Sequence, residues 1–304
     1  MANAKYPTSA AKVALGHQLF FDKRLSKNHD ISCNSCHGVT THGVDNQPTS
    51  LGHKGQRGGR NSPTVMNAAL HVAQFWDGRE PDVEAQAKGP VMNPVEMAMP
   101  DAKRVEATLN SMPEYVTSFK KAFPDDKSPV SFDNMALAIG AYERKLVTPS
   151  AFDAYLKGDD KALNDAQKEG LSTFLAVGCQ ACHSGVGVGG GMFQKLGLLK
   201  EWPSKDDLGR FAHTKKDADK MFFKVPTLRN IEKTHPYFHD GKVASLEEAV
   251  KLMGEYQLGK KLDDKQVKSI VTFLGSLTGT PAAEFMKEPA LPKSTKTTPK
   301  ADPS

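Results

Sequence analysis

Two five-residue stretches constrain this 304-residue chain more than any other feature: Cys33-Asn34-Ser35-Cys36-His37 and Cys179-Gln180-Ala181-Cys182-His183. Each reads C-x-x-C-H, the spacing at which two thiols attach to the vinyl groups of one haem while the next residue, histidine, turns back to ligate the iron. Together they use all four cysteines. A four-cysteine zinc site would hold its two pairs much closer in sequence than Cys33 and Cys179. A thioredoxin-like dithiol would want a βαβ context, and none is visible. The cysteine arithmetic therefore predicts two covalent c-type haems.

Length and the two motifs predict a mainly α protein of two cytochrome c-like domains, each with one covalently bound c-type haem and with long irregular loops. Only 38% of the residues are hydrophobic, so each core is expected to pack largely against its porphyrin. The formal charge is +5, but the segment from Lys287 onward carries four lysines against Glu288 and Asp302, which leaves the body only mildly basic. That balance does not call for nucleic acid and suits weak docking to a small protein. No apolar run reaches the roughly 18 residues that span a bilayer. The N-terminal Met1-Ala-Asn-Ala-Lys-Tyr-Pro7 is not a signal peptide, yet c-type haem is attached outside the cytoplasmic membrane. A periplasmic protein whose targeting segment has been removed is the expectation.

Along the chain, apolar periodicity predicts a helix from Ser9 to Asp22 and a second from Asn164 to Gly178, each just before a motif. Helix followed by C-x-x-C-H is thus an internal repeat. Helices are also expected over Arg104–Leu109, Glu114–Phe123 and Phe132–Leu146, with Pro113 and Pro124 as interruptions. Val147-Thr-Pro-Ser150 breaks the pattern, so the predicted domains are residues 1–148 and 149–280. Ser245-Leu-Glu-Glu248 and Asp263-Asp-Lys-Gln266 look like capping boxes, and the last helix runs to about Leu277. The Pro, Lys, Thr and Ala content of residues 281–304 predicts a disordered tail.

The ligand opposite each histidine decides the chemistry, because a haem with two strong protein ligands passes electrons while a displaceable ligand admits a small molecule. Opposite His183 the candidates are Met192, Met221, Met253 and Met286. Met253 sits between the last two predicted helices, where a cytochrome c places its axial methionine. For His37 the candidate is His53, in a loop with four glycines that can rearrange at low cost; it reads equally as a solvated loop histidine. His42 is too near His37, and His71 reads as a helix-surface residue.

Several further stretches carry a resemblance: Arg60-Asn-Ser-Pro-Thr-Val65, Phe75-Trp-Asp-Gly-Arg79, Gln86-Ala-Lys-Gly-Pro90, Glu96-Met97 and Val225-Pro-Thr-Leu-Arg-Asn230. From about Ala10 to Thr280 the chain resembles the bacterial di-haem cytochrome c peroxidases. The resemblance implies a low-potential peroxidatic haem in the N-terminal domain and a high-potential electron-entry haem in the C-terminal one. By motif position, His53 matches a displaceable distal histidine, Gln86 and Glu96 the peroxide-pocket pair, Trp76 the aromatic bridge between haems, and Met253 the axial methionine. Asn61, with backbone carbonyls near Lys224 and Pro226, matches the ligands of a calcium ion. The resemblance also implies hydrogen peroxide as substrate, a small monohaem cytochrome c or cupredoxin as donor, and a homodimer. On the residues alone Trp76 reads equally as a core aromatic, and Glu96 as a surface charge. A MauG-like oxidase of protein side chains would use tyrosine in place of the methionine, and Tyr256 lies close to Met253. A carrier with both irons permanently six-coordinate is the non-enzymatic alternative.

Overall fold

The computed structural model describes residues 5–304, and among them the seven helices of seven or more residues are α1 (Ala10–Phe21), α2 (Ala102–Asn110), α3 (Pro113–Ala122), α4 (Phe132–Glu143), α5 (Asp165–Val177), α6 (Leu246–Leu252) and α7 (Asp264–Gly275). Side-chain caps set most of their starts: Ser9, Asp101, Ser131 and Ser245 each accept from a backbone N–H in the first turn, and Asn164 and Asp263 do so within full capping boxes. Pro113 opens α3 rather than interrupting it, since the first helical position needs no N–H. The region after the second motif holds a small two-stranded sheet, β1 (Phe193–Lys195) antiparallel to β2 (Phe222–Lys224), with Phe193 opposite Lys224. No helix among the described residues is long and apolar enough to cross a membrane.

The helix that leads into each motif is clamped to a later one by a glycine. At Gly16 of α1 an added Cβ would lie 1.8 Å from the carbonyl oxygen of Ala138 on α4. At Gly170 of α5 it would lie 2.2 Å from the carbonyl oxygen of Ser269 on α7. Backbones that close leave no room for any other residue. Two apolar clusters grow from these crossings. One draws on residues 15 to 146, with Leu19, Phe20, Tyr115, Phe119 and Ile139 fully buried; the other draws on residues 174 to 277, with Ile270, Phe273 and Leu277 at its centre. Each such side chain contributes about 1.5–3 kcal/mol by leaving water. Between the clusters the chain passes through Thr148, whose hydroxyl accepts from the Nδ2 of Asn67 at 2.8 Å and of Asn230 at 3.1 Å. Arg60 ties the two sides together again, donating to Asp77 at 2.7 Å and to Asp207 at 2.6 and 2.8 Å.

Residues 281–304 differ from the sequence expectation of a disordered tail. They run back along the first cluster as a strap. Phe285, Met286 and Leu291 pack on it, and the strap's carbonyls accept from Tyr142 Oη (to Phe285, 2.6 Å), Gln18 (to Ala290, 2.9 Å), Arg104 (to Lys300, 2.8 Å) and Lys27 (to Ser304, 2.8 Å). Composition averages over the stretch; three spaced apolar residues and a row of facing donors suffice to hold it.

Candidate haem centres

Each C-x-x-C-H stretch folds as a single helical turn that ends at its histidine. In Cys33–Cys36 the turn is capped by Ser32 and Ser35, and the His37 N–H donates to Cys33 O at 2.9 Å. After Cys179–Ala181 the His183 N–H donates to Cys179 O at 3.0 Å. Both turns open onto cavities, of about 1650 Å³ beside the first and about 1680 Å³ beside the second with the open mouths included. Cys33, Cys36 and His37 line the first, and Cys179, Cys182 and His183 the second. Burial lowers both histidines, His183 to about 4, so each ring is the neutral imidazole that binds metal. His183 Nδ1 is enclosed with no hydrogen-bond partner. His37 Nδ1 lies 3.3 Å from Gly43 O, a contact that orients a ligating ring. Free paired thiols, a neutral imidazole and a large cavity are what a covalently held haem requires, and both sites fit it.

The two cavities differ in what lines them. The second is lined by apolar side chains such as Phe174, Val250, Leu258, Ile270 and Leu274, and by Met253. Met253 starts a π-helical turn, Met253–Gln257, that continues α6; such turns re-aim side chains at functional sites. Tyr256 does not line the cavity. Its ring meets Trp202 edge-on at 5.0 Å and carries Lys200 over its face.

The first cavity is lined instead by Gln86, Glu96, Arg79 and Glu143. Gln86 ends the short helix Val83–Gln86, which Asp82 caps. Burial raises the Glu96 carboxyl, the Arg79 charge opposing it, and burial pushes Glu143 up to about 8. Arg79 is held over the Phe75 ring and bonded to Asp77 at 3.0 Å. His53 is buried but is not among the lining residues, although Leu51 and Gly52 are. Its N–H donates to Glu96 O at 2.8 Å, its Nε2 lies 3.3 Å from Ser304 O on the strap, and its Nδ1 has no partner.

Trp76, Asn61, His71 and Lys224 line both cavities. Trp76 Nε1–H donates to Asn61 O at 2.9 Å, and the Lys224 N–H donates to Trp76 O at 2.8 Å. Backbone bonds thus fix the indole between the sites. The Asn61 Nδ2 is taken by the carbonyls of Gln47 and Pro48, at 3.0 and 3.3 Å, which leaves its side-chain oxygen as an acceptor. Among the described residues no group of three or more His, Cys, Asp or Glu could hold a metal ion, so a calcium ion here would rest on amide and carbonyl oxygens, donors suited to that hard cation.

His71 is the residue that the sequence misplaced. It follows a short turn, Ala68–Leu70, and its Nε2 is enclosed, while its Nδ1 meets Lys224 Nζ at 3.1 Å. Lys224 is buried, and burial brings its ammonium down to about 8. Neither this pairing nor the buried Glu143 has a signal in local sequence, because both depend on residues far apart in the chain.

The profile of the di-haem cytochrome c peroxidase family matches residues 10–161. The cytochrome c551 peroxidase of Pseudomonas aeruginosa is 54% identical over 301 residues, covering 97% of this chain and 86% of the relative. That of Nitrosomonas europaea is 48% identical over 299 residues, covering 98% and 88%. Among solved structures, a MauG-like protein associated with microbial copper homeostasis superposes with a TM-score of 0.84 at 27% identity, covering 95% of each chain. With two haem-attachment turns, two cavities and this likeness along nearly its whole length, the chain belongs to the di-haem cytochrome c peroxidase family.

Proposed function

We propose that the chain is a peroxidase that reduces hydrogen peroxide to water, with the N-terminal centre as the site of reduction and the C-terminal centre as the point of electron entry. The observation that carries this reading is the asymmetry of the two cavities: Met253 faces the second, whereas Gln86 and Glu96 face the first and His53 is turned away from it. Bound haem supplies an iron to hold peroxide at the first centre and two one-electron stores in all. Glu96 is the general base that takes the proton of bound peroxide and then the acid that returns it to the leaving oxygen. Its raised pKa suits both halves of that task. Gln86 hydrogen-bonds peroxide without changing charge, and Arg79 adds a positive charge at the same wall. Two electrons and two protons convert one peroxide into two waters, so the second electron has to cross between centres. Trp76, fixed between the cavities, is the conjugated path. Met253, on the wall of the second cavity, would help hold the second haem, and a methionine ligand would raise the potential of that centre.

On this reading residues 1–148 and 149–280 are the two haem domains, His53 would be a displaceable ligand of the first haem, and Asn61 with the carbonyls of Lys224 and Pro226 would hold a calcium ion that stiffens their boundary. The donor is a small monohaem cytochrome c or a cupredoxin, the compartment the periplasm, and the assembly a homodimer. A MauG-like oxidation of protein side chains is disfavoured because Tyr256 packs on Trp202 instead of facing the cavity. Stopped-flow mixing of the half-reduced protein with hydrogen peroxide tests the reading. Rapid oxidation of both haems by one peroxide is expected; no reaction in any redox state would leave an electron carrier.

A further inference from the structure

A buried cation with no anion stands on the wall between the two cavities. Lys224 is 5% exposed, at the end of β2, and lines both sites. Its Nζ is bonded to a neutral acceptor, His71 Nδ1, at 3.1 Å, and no carboxylate among the described residues pairs with it. Asp77, which lines the first cavity, is already taken by Arg60 and Arg79. Burying an ammonium without an opposite charge is costly, and buried charges are normally paired with an anion or driven towards the neutral form. His71 is held in turn, since the next residue's N–H donates to Gly190 O at 2.8 Å. The pair is therefore an anchored donor aimed at space that the chain leaves for a ligand.

Haem brings the missing charge in its two propionates. We infer that the Lys224 ammonium, aimed by His71, seats a haem propionate on the wall shared by the two cavities, beside Trp76. This role belongs to the side chain and is separate from the Lys224 carbonyl considered for calcium; it rests on the two-haem reading. Lys224 is then a positioning residue with two effects. It fixes the porphyrin edge that faces the indole, and its positive charge disfavours the ferric form, which raises the potential of the haem it serves.

The test is a spectroelectrochemical titration of Lys224→Met, which keeps the length of the side chain and removes its charge, together with resonance Raman spectra in the propionate-bending region. A haem count by pyridine haemochrome comes first, on the unaltered protein. Fewer than two haems there would sink the two-haem reading itself, whereas the present inference is judged on chains that carry both. The expected result is a fall in the midpoint of at least one haem by about tenfold in its ferric-to-ferrous ratio, which is about 59 mV for one electron. A shift of the propionate band should accompany it, with both effects largely reversed in Lys224→Arg. Unchanged midpoints and an unchanged band would overturn the inference. If Lys224→Met does not accumulate, His71→Asn, which removes the aiming partner and leaves the ammonium, is read in the same way: a shifted band with a smaller change in potential is expected, and an unmoved band counts against the seat.

Discussion

The two halves of this molecule begin alike and end differently. In both, a helix leads into C-x-x-C-H and is clamped by one glycine against a later helix, Gly16 on α4 and Gly170 on α7. The attachment plan is therefore the same at each haem. The difference lies in what the rest of each half sends to the opposite wall. Beside His183 come apolar residues and the Met253 of a π-helical turn. Beside His37 come Gln86, Glu96 and Arg79, from short helices and loops, while His53 is drawn towards the strap. One scaffold can thus present two attachment turns alike and still surround them differently, because the residues on the opposite walls come from segments that the attachment motif does not dictate.

The comparison can be broken most sharply at the first wall. Glu96→Gln should lower kcat/KM for peroxide by roughly 10²–10⁴-fold while leaving the spectrum of the Met253 centre unchanged. On the proposed mechanism Glu96 acts as a base only when ionised, and burial raises its pKa. Activity should accordingly fall, as the pH is lowered, at a pH above the ordinary carboxyl range, and Glu96→Gln should lose that limb of the profile.

The shared scaffold supplies the next pair. Gly16→Ala and Gly170→Ala each force a Cβ against a backbone oxygen, and overpacking of that kind costs about 1–3 kcal/mol. Thermal melts followed at haem absorbance should show Gly16→Ala loosening the first centre and Gly170→Ala the second. If either variant loosened both equally, the two clusters would not be separate units.

The strap belongs to the first cluster alone. Phe285→Ala removes a half-buried ring that packs there and should cost about 1–3 kcal/mol, read as a lower denaturation midpoint for the first centre only. A smaller effect is expected at the second. Hydrogen bonds and charge from Arg229 hold Asp153 down to about 2. A depressed folded pKa gives stability that is present above the unfolded carboxyl value and is lost as the pH falls through the folded one. Asp153→Asn should therefore cost some stability at neutral pH and flatten the decline between about pH 4 and pH 2.

Much of this was legible beforehand where it depends on neighbours in sequence. The helical turns at the two motifs, the helices that precede them and the caps at Asn164 and Asp263 are local, and the place of Met253 between two helices marks it as a residue of the second cavity wall. The strap has no such local signal, because its order comes from donors on Tyr142, Arg104 and Lys27, far away in the chain. His71 lacks one for the same reason: a surface periodicity carries no sign that Lys224 will close over it. A glycine-rich loop shows that the backbone at His53 can move, yet not which way the ring points.

On the proposed function the iron held by His37 would open to a small ligand while the iron held by His183 would not. Electron paramagnetic resonance of the all-ferric and half-reduced protein, each with and without cyanide, tests it most directly. Cyanide should change the signal of the first haem in the half-reduced protein and should never reach the second. Cyanide binding at both irons, or at neither in any state, would contradict it.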